Sequence, residues 1–258
     1  SLQSFPTLPR FSTALRQPDS SIESARLFAV LLLVSYHVIG ADRHSGLQIS
    51  APHPLRLFAD FFADLRMPLF AAVSGYVYGL KPVTPARLGA FLMGKFRRLA
   101  LPGAVAISVF MLIALATGTR FAPDAQWWLN YVTPYVHFWF LQAILVIFVA
   151  VCSLDILTKG RFLWLFALLA CAISLSGARF PFQMMSVNSA IYLLPYFLAG
   201  TLACRNLRTI HSHRKLFIGV ALALVIVATW MNLQQFEQTR AFHTDRRDLQ
   251  SLAFGMGA

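Results

Sequence analysis

From Leu99 to Thr119 the chain carries no charged residue, and the run is almost wholly apolar. An α-helix needs about 20 such residues to cross the hydrocarbon core of a bilayer. Within that core every backbone N–H and C=O must be satisfied internally, so a run of this kind points to a spanning helix. Similar runs lie near 22–40, 57–80, 100–118, 135–153, 162–178, 189–205 and 215–233, and an eighth begins at Leu249. The expected fold is all-α: a polytopic integral membrane helical bundle with seven to eight spans. Composition agrees, with 57% of the 258 residues hydrophobic and 12% charged. A soluble domain keeps about a quarter of its residues charged. Residues 1–21, with Pro6, Pro9 and Pro18, read as a polar cytoplasmic tail without a cleavable signal, and 22–258 as one membrane domain. The start at Ser1 and the close on "SLAFGMGA" lead us to expect a longer parent, with the domain incomplete at its C-terminal end.

The formal charge of +12 is concentrated in three loops. Lys81, Arg87, Lys95, Arg97 and Arg98 lie between the second and third runs. Lys159 and Arg161 follow the fourth run, and Arg205, Arg208, Arg214 and Lys215 follow the sixth. Lys and Arg accumulate in cytoplasmic loops, so the N-terminus is expected inside, with the 41–56 and 119–134 loops outside. No basic face with interleaved aromatics stands outside the spans, so nucleic acid is not an expected partner. Cys152, Cys171 and Cys204 have neither redox nor metal spacing. The His211-x-His213 pair has no nearby carboxylate or cysteine, so no metal is expected.

The first span, "SIESARLFAVLLLVSYHVIG", carries Glu23, Arg26 and His37. Ionisable groups in hydrocarbon are costly and mark functional positions. Arg26 and His37 are eleven residues apart, which is three turns, so both sit on nearly one face about 16 Å apart along the axis. Glu23, three before Arg26, joins that stripe. His37, following "VLLLVSY", is expected deep in the bundle, where an imidazole suits proton transfer near neutral pH. The second span places Asp60, Asp64 and Arg66 near its outer end, at the height of His37. A carboxylate there would orient the imidazole. Pro68 is expected to kink this span, and Ser74–Gly75 to allow close helix approach. A proton-coupled secondary transporter would also place Arg, His and Asp within spans.

Five stretches in order carry a resemblance. "IESARLFAVLLLVSYH" resembles the opening signature of the family-3 membrane acyltransferases, an acidic residue, an Arg three later and a His eleven beyond. "MPLFAAVSGY", "KFRRLALPGA", "HFWFLQAILVIF" and "LPYFLAGTLA" resemble that family's later motifs, and together they cover about residues 20–206. The Met-Pro-Leu-Phe details are most similar to the sugar O-acetylase branch, although Arg66 stands where that branch often has His. The resemblance implies a membrane enzyme of about ten spans in the bacterial inner membrane. It implies transfer of an acyl group, usually acetyl, from acyl-coenzyme A to a hydroxyl of a carbohydrate or lipid-linked glycan. On that basis His37 is the expected base, supported by Arg26 and Glu23. Lys95, Arg97 and Arg98 would hold the coenzyme phosphates. Asp60, Asp64, Arg66, His137 and Trp139 would line the acceptor path. A transporter would not need the basic coenzyme-binding cluster.

Overall fold

The computed structural model describes residues 20–40, 46–49, 53–119, 121–182, 184–239 and Met256. The helices are α1 (Ser20–Ile39), α2 (Pro54–Phe61), α3 (Ala63–Leu80), α4 (Leu88–Lys95), α5 (Leu101–Thr117), α6 (Trp139–Thr158), α7 (Leu163–Leu175), α8 (Val187–Arg205), α9 (Leu207–Ser212) and α10 (Arg214–Thr239). The described residues include no strand. A π-helical segment, Phe96–Ala100, joins α4 to α5 without a break. Among the described residues, five helical stretches are long and apolar enough to cross a membrane: α1, α4 through α5, α6, the stretch containing α8, and α10.

Two of the expected spans differ. The 162–178 run forms α7, which is apolar but has only 13 residues. The 57–80 run is two helices that meet at Phe62 (φ −89°, ψ 11°). The break falls six residues before Pro68, where the kink was expected, while α3 runs through Pro68. Phe62 closes one helix and opens the next. Its N–H bonds Phe58 O, and its carbonyl accepts from Leu65 and Arg66. The Arg66 guanidinium then reaches back to the Ala59 carbonyl at 3.0 Å. A break leaves carbonyls without helical partners, and this side chain supplies one. The expected eighth span at Leu249 lies outside the described residues, apart from helical Met256.

The core is the crossing of α3 on α8. A Cβ at Gly75 would lie 1.9 Å from the Phe197 carbonyl oxygen, and one at Gly200 would lie 2.0 Å from that of Ala72. Small residues let helix backbones approach this closely in a membrane, where packing rather than hydrophobicity drives association. The Thr201 hydroxyl sits in the crossing, 3.0 Å from the carbonyl oxygens of both Gly75 and Phe197. The expected close approach at Gly75 is thus present. Tyr78 and Phe197 each pack edge to face on Phe148, and Tyr78 lies tilted against Phe197. At one end Asp155 of α6 accepts two bonds from Arg205 of α8, at 2.8 and 2.6 Å, and one from the Tyr78 hydroxyl of α3 at 2.8 Å. This bidentate pair ties three helices together.

Candidate active site

Outside that core, α1 packs through Ala29 and Leu32 and leaves Glu23, Arg26 and His37 on its exposed side. The predicted stripe is therefore present, and it stays exposed rather than entering the packed core. His37 is not deep in the bundle. It is exposed and two residues from the end of α1 at Ile39. That end is defined locally. Gly40 adopts φ +92°, the left-handed conformation that stops a helix without steric cost. Its N–H still bonds Tyr36 O at 2.8 Å, while buried Arg56 of α2 donates to its carbonyl. A cation at a helix C-terminus also complements the helix dipole.

His37 Nδ1 lies 2.8 Å from the Leu33 carbonyl oxygen. A carbonyl only accepts, so the ring proton is assigned to Nδ1 and Nε2 keeps its lone pair. That tautomer leaves Nε2 able to act as a base. The expected orienting carboxylate is replaced by this backbone carbonyl. Asp64 is buried, and Asp60 is half-buried within the fields of Arg56 and Arg66. Arg66 is buried as well, with its guanidinium 3.7 Å above the Tyr36 ring centroid. Tyr36 in turn meets the His37 ring edge to face at 5.6 Å. Arg66 therefore supports the wall behind His37, through Tyr36.

His137 is the residue the fold brings to His37. Their ring centroids are 5.3 Å apart at 81°. His137 also packs on Phe138 at 4.2 Å and on Phe110 of α5 at 5.4 Å. The preceding residue, Val136, has φ +45°. For a β-branched residue this is a strained backbone, of a kind that costs about 1–3 kcal/mol and clusters at functional sites. Trp139 starts α6, half-buried, with its ring 6.1 Å from that of Phe140.

The basic stretch separates into two parts. Lys95 is half-buried, with Nζ 3.4 Å from the Phe148 ring centroid and 5.3 Å from that of Phe91. Arg97 and Arg98, in the π-helical segment, are exposed. A π segment changes the angular register of the helix, and such segments often mark functional sites. Arg26 of α1 and Arg98 both lie within electrostatic reach of Lys95. The fold thus gathers the first-span arginine with the basic stretch.

A shallow, wide-open apolar groove runs along α5 past Leu101, Val105, Val109, Phe110 and Phe138. Leu101 is three residues beyond Arg98, and Phe110 touches His137. From Leu101 to Phe110 is about 14 Å of helix. One end of the groove therefore adjoins exposed arginines, and the other adjoins two imidazoles. A sequence family described as an acyltransferase domain matches residues 19–258. The chain belongs to the family-3 acyltransferases. Comparison with curated proteins and with solved structures gives no match. In this family-3 acyltransferase, the sequence reading overlooked Arg56, Phe110 and the Asp155–Arg205–Tyr78 cluster. Arg56, Asp155 and Arg205 are isolated charges at the ends of apolar runs, and that was the available signal.

Proposed function

We propose that the protein transfers an acetyl group from acetyl-coenzyme A to a hydroxyl of an envelope or exported carbohydrate, in the bacterial inner membrane with its N-terminus cytoplasmic. The observation carrying this reading is the α5 groove, with arginines at one end and the His37–His137 pair at the other. Arg97 and Arg98 receive the coenzyme phosphates, which guanidinium groups recognise well. The slender arm of the coenzyme lies along α5 and brings the thioester toward His37. Arg26, with Glu23 one turn earlier, lies on the donor side. His37 Nε2 accepts the proton of the acceptor hydroxyl as its oxygen attacks the thioester carbonyl. The tetrahedral intermediate collapses with cleavage of the C–S bond, and the imidazolium returns the proton to the departing thiolate. His137 and Trp139 line the approach of the acceptor, and buried Arg66 supports that wall from behind through Tyr36.

The test is turnover of acetyl-coenzyme A by His37→Ala in membranes, normalised to inserted protein. Loss of a general base costs about 10²- to 10⁴-fold. Activity should therefore fall to about a hundredth or less, while His37 exposure predicts little change in detergent stability. Retention of more than about a tenth of the activity would exclude His37 as the base.

A further inference from the structure

Between α5 and α6 the connecting segment forms a second concavity, of about 220 Å³, lined by Phe121, Pro123, Asp124, Asn130, Tyr135 and Val136. Its wall mixes polar and apolar surface evenly, whereas the wall of the α5 groove is almost wholly apolar. Asp124 contributes a carboxylate to its wall, which disfavours an anionic ligand. The polar side chains retain acceptor capacity. Asp124 uses Oδ1 for the Gln126 N–H at 2.9 Å. Asn130 uses its amide N–H on Met111 Sδ at 3.3 Å. Tyr135 donates its hydroxyl proton to the Phe121 carbonyl at 2.6 Å. Asp124 Oδ2, Asn130 Oδ1 and the Tyr135 lone pairs can each accept from a ligand hydroxyl. The concavity is open to one side and small, which suits a single ring better than a chain of rings.

The concavity also adjoins the reacting groups. Tyr135 and Phe121 pack against Phe110 at 5.9 and 6.2 Å, and Phe110 packs against His137 at 5.4 Å. Strained Val136 lies in its wall, immediately before His137. We propose that the Asp124–Asn130–Tyr135 concavity is a binding subsite for one neutral, hydroxyl-rich sugar ring of the acceptor, holding it beside the His37–His137 pair. The role of the bound ring as acyl acceptor rests on the proposed acetyl transfer; the binding itself does not.

The experiment uses the full chain purified in detergent, with saturation-transfer NMR against methyl glycosides of glucose, galactose, mannose and N-acetylglucosamine. At least one should bind. Asp124→Ala and Asn130→Ala should each weaken it about fivefold or more, as expected for loss of a hydrogen bond worth about 1 kcal/mol. Asp124→Asn keeps the shape and removes the charge, so it should weaken binding less and serves as the decisive variant if Asp124→Ala is not monodisperse. Arg161→Ala, away from the concavity, should leave the signal intact. No glycoside binding to the wild type, or undiminished binding in both Asp124 variants, overturns the subsite. Acetyl-coenzyme A binding is measured on the same samples by calorimetry. Sugar binding without coenzyme binding breaks the acyl-transfer reading and keeps the subsite, whereas coenzyme binding without sugar binding does the reverse.

Discussion

The α3–α8 crossing and the α1–α5 flank differ in what their polar groups do. In the crossing, Thr201, Asp155 and Tyr78 are buried and bonded within the protein. On the flank, Arg26, Arg97, Arg98, His37 and His137 are exposed. A buried polar group must find its partner in the fold, because hydrocarbon offers none. An exposed group beside a groove keeps its valence for a ligand. The crossing sets the frame, and the flank, attached to it through α1 on α3 and the π segment on α6, carries the groups to which we assign the chemistry. Changes in the first region should therefore act on folding, and changes in the second on substrates.

The largest expected effect is at Gly75. Its added Cβ would lie 1.9 Å from a backbone carbonyl of α8, so one of the two helices must move. Gly75→Ala should cost more than about 4 kcal/mol, in the exceptional range for point changes. The readout is loss of the monodisperse peak and of the thermal transition in detergent. Gly94→Ala is the matched control, because a Cβ there meets nothing within 4 Å. It should be neutral or stabilise the helix by up to about 1 kcal/mol. Equal behaviour of the two variants would remove the distinction between a close-packed crossing and the rest.

Arg205 comes next. It is 21% exposed at the side chain, while Asp155 is 5% exposed. Arg205→Ala leaves Asp155 with the Tyr78 hydroxyl alone. Removing one member of a buried pair costs about 3–5 kcal/mol, mainly because the remaining charge stays desolvated. A second change, Asp155→Asn, should recover part of that loss, since the stranded charge is gone. A thermal shift series over the two single variants and the double variant measures the coupling. Additive losses would show that the pair does not act as a unit.

How much of this was legible in sequence depends on the range of each interaction. The run from Leu99 to Thr119 is local information, and it led to a helix where one is found. Gly75 was legible because Ser-Gly within an apolar run signals backbone approach, although its partner Phe197 was not. The break at Phe62 had no Gly or Pro to announce it. It depends on Arg66 reaching Ala59 across seven positions. The sequence put Lys95 with Arg97 and Arg98, but the π segment exposes the arginines while Phe148 holds Lys95 within the bundle. His37 and His137 were each singled out, yet their contact depends on how the end of α1 lies beside the segment that enters α6. Periodicity within one helix does not contain that placement.

The smallest effect tests the flank directly. Arg97 and Arg98 are exposed, so the contact we propose for each with a coenzyme phosphate would be screened by water. An exposed charge pair contributes about 0.2–1 kcal/mol, so Arg97→Gln and Arg98→Gln should each raise KM for acetyl-coenzyme A by up to about fivefold. Binding felt equally in ground and transition states changes KM and leaves kcat alone. The wild-type KM should also rise with ionic strength, and the double variant should lose most of that dependence. Lys95→Gln should behave differently, because its ammonium lies over Phe148 in the interior. Its main effect should be on thermal stability, by about 0.5–2 kcal/mol for a partly desolvated cation–π contact. If all three variants change KM alike, the division of the basic stretch into an inward lysine and outward arginines is wrong. If none changes KM, the arginines serve membrane orientation only, and the donor site must be sought elsewhere along α5.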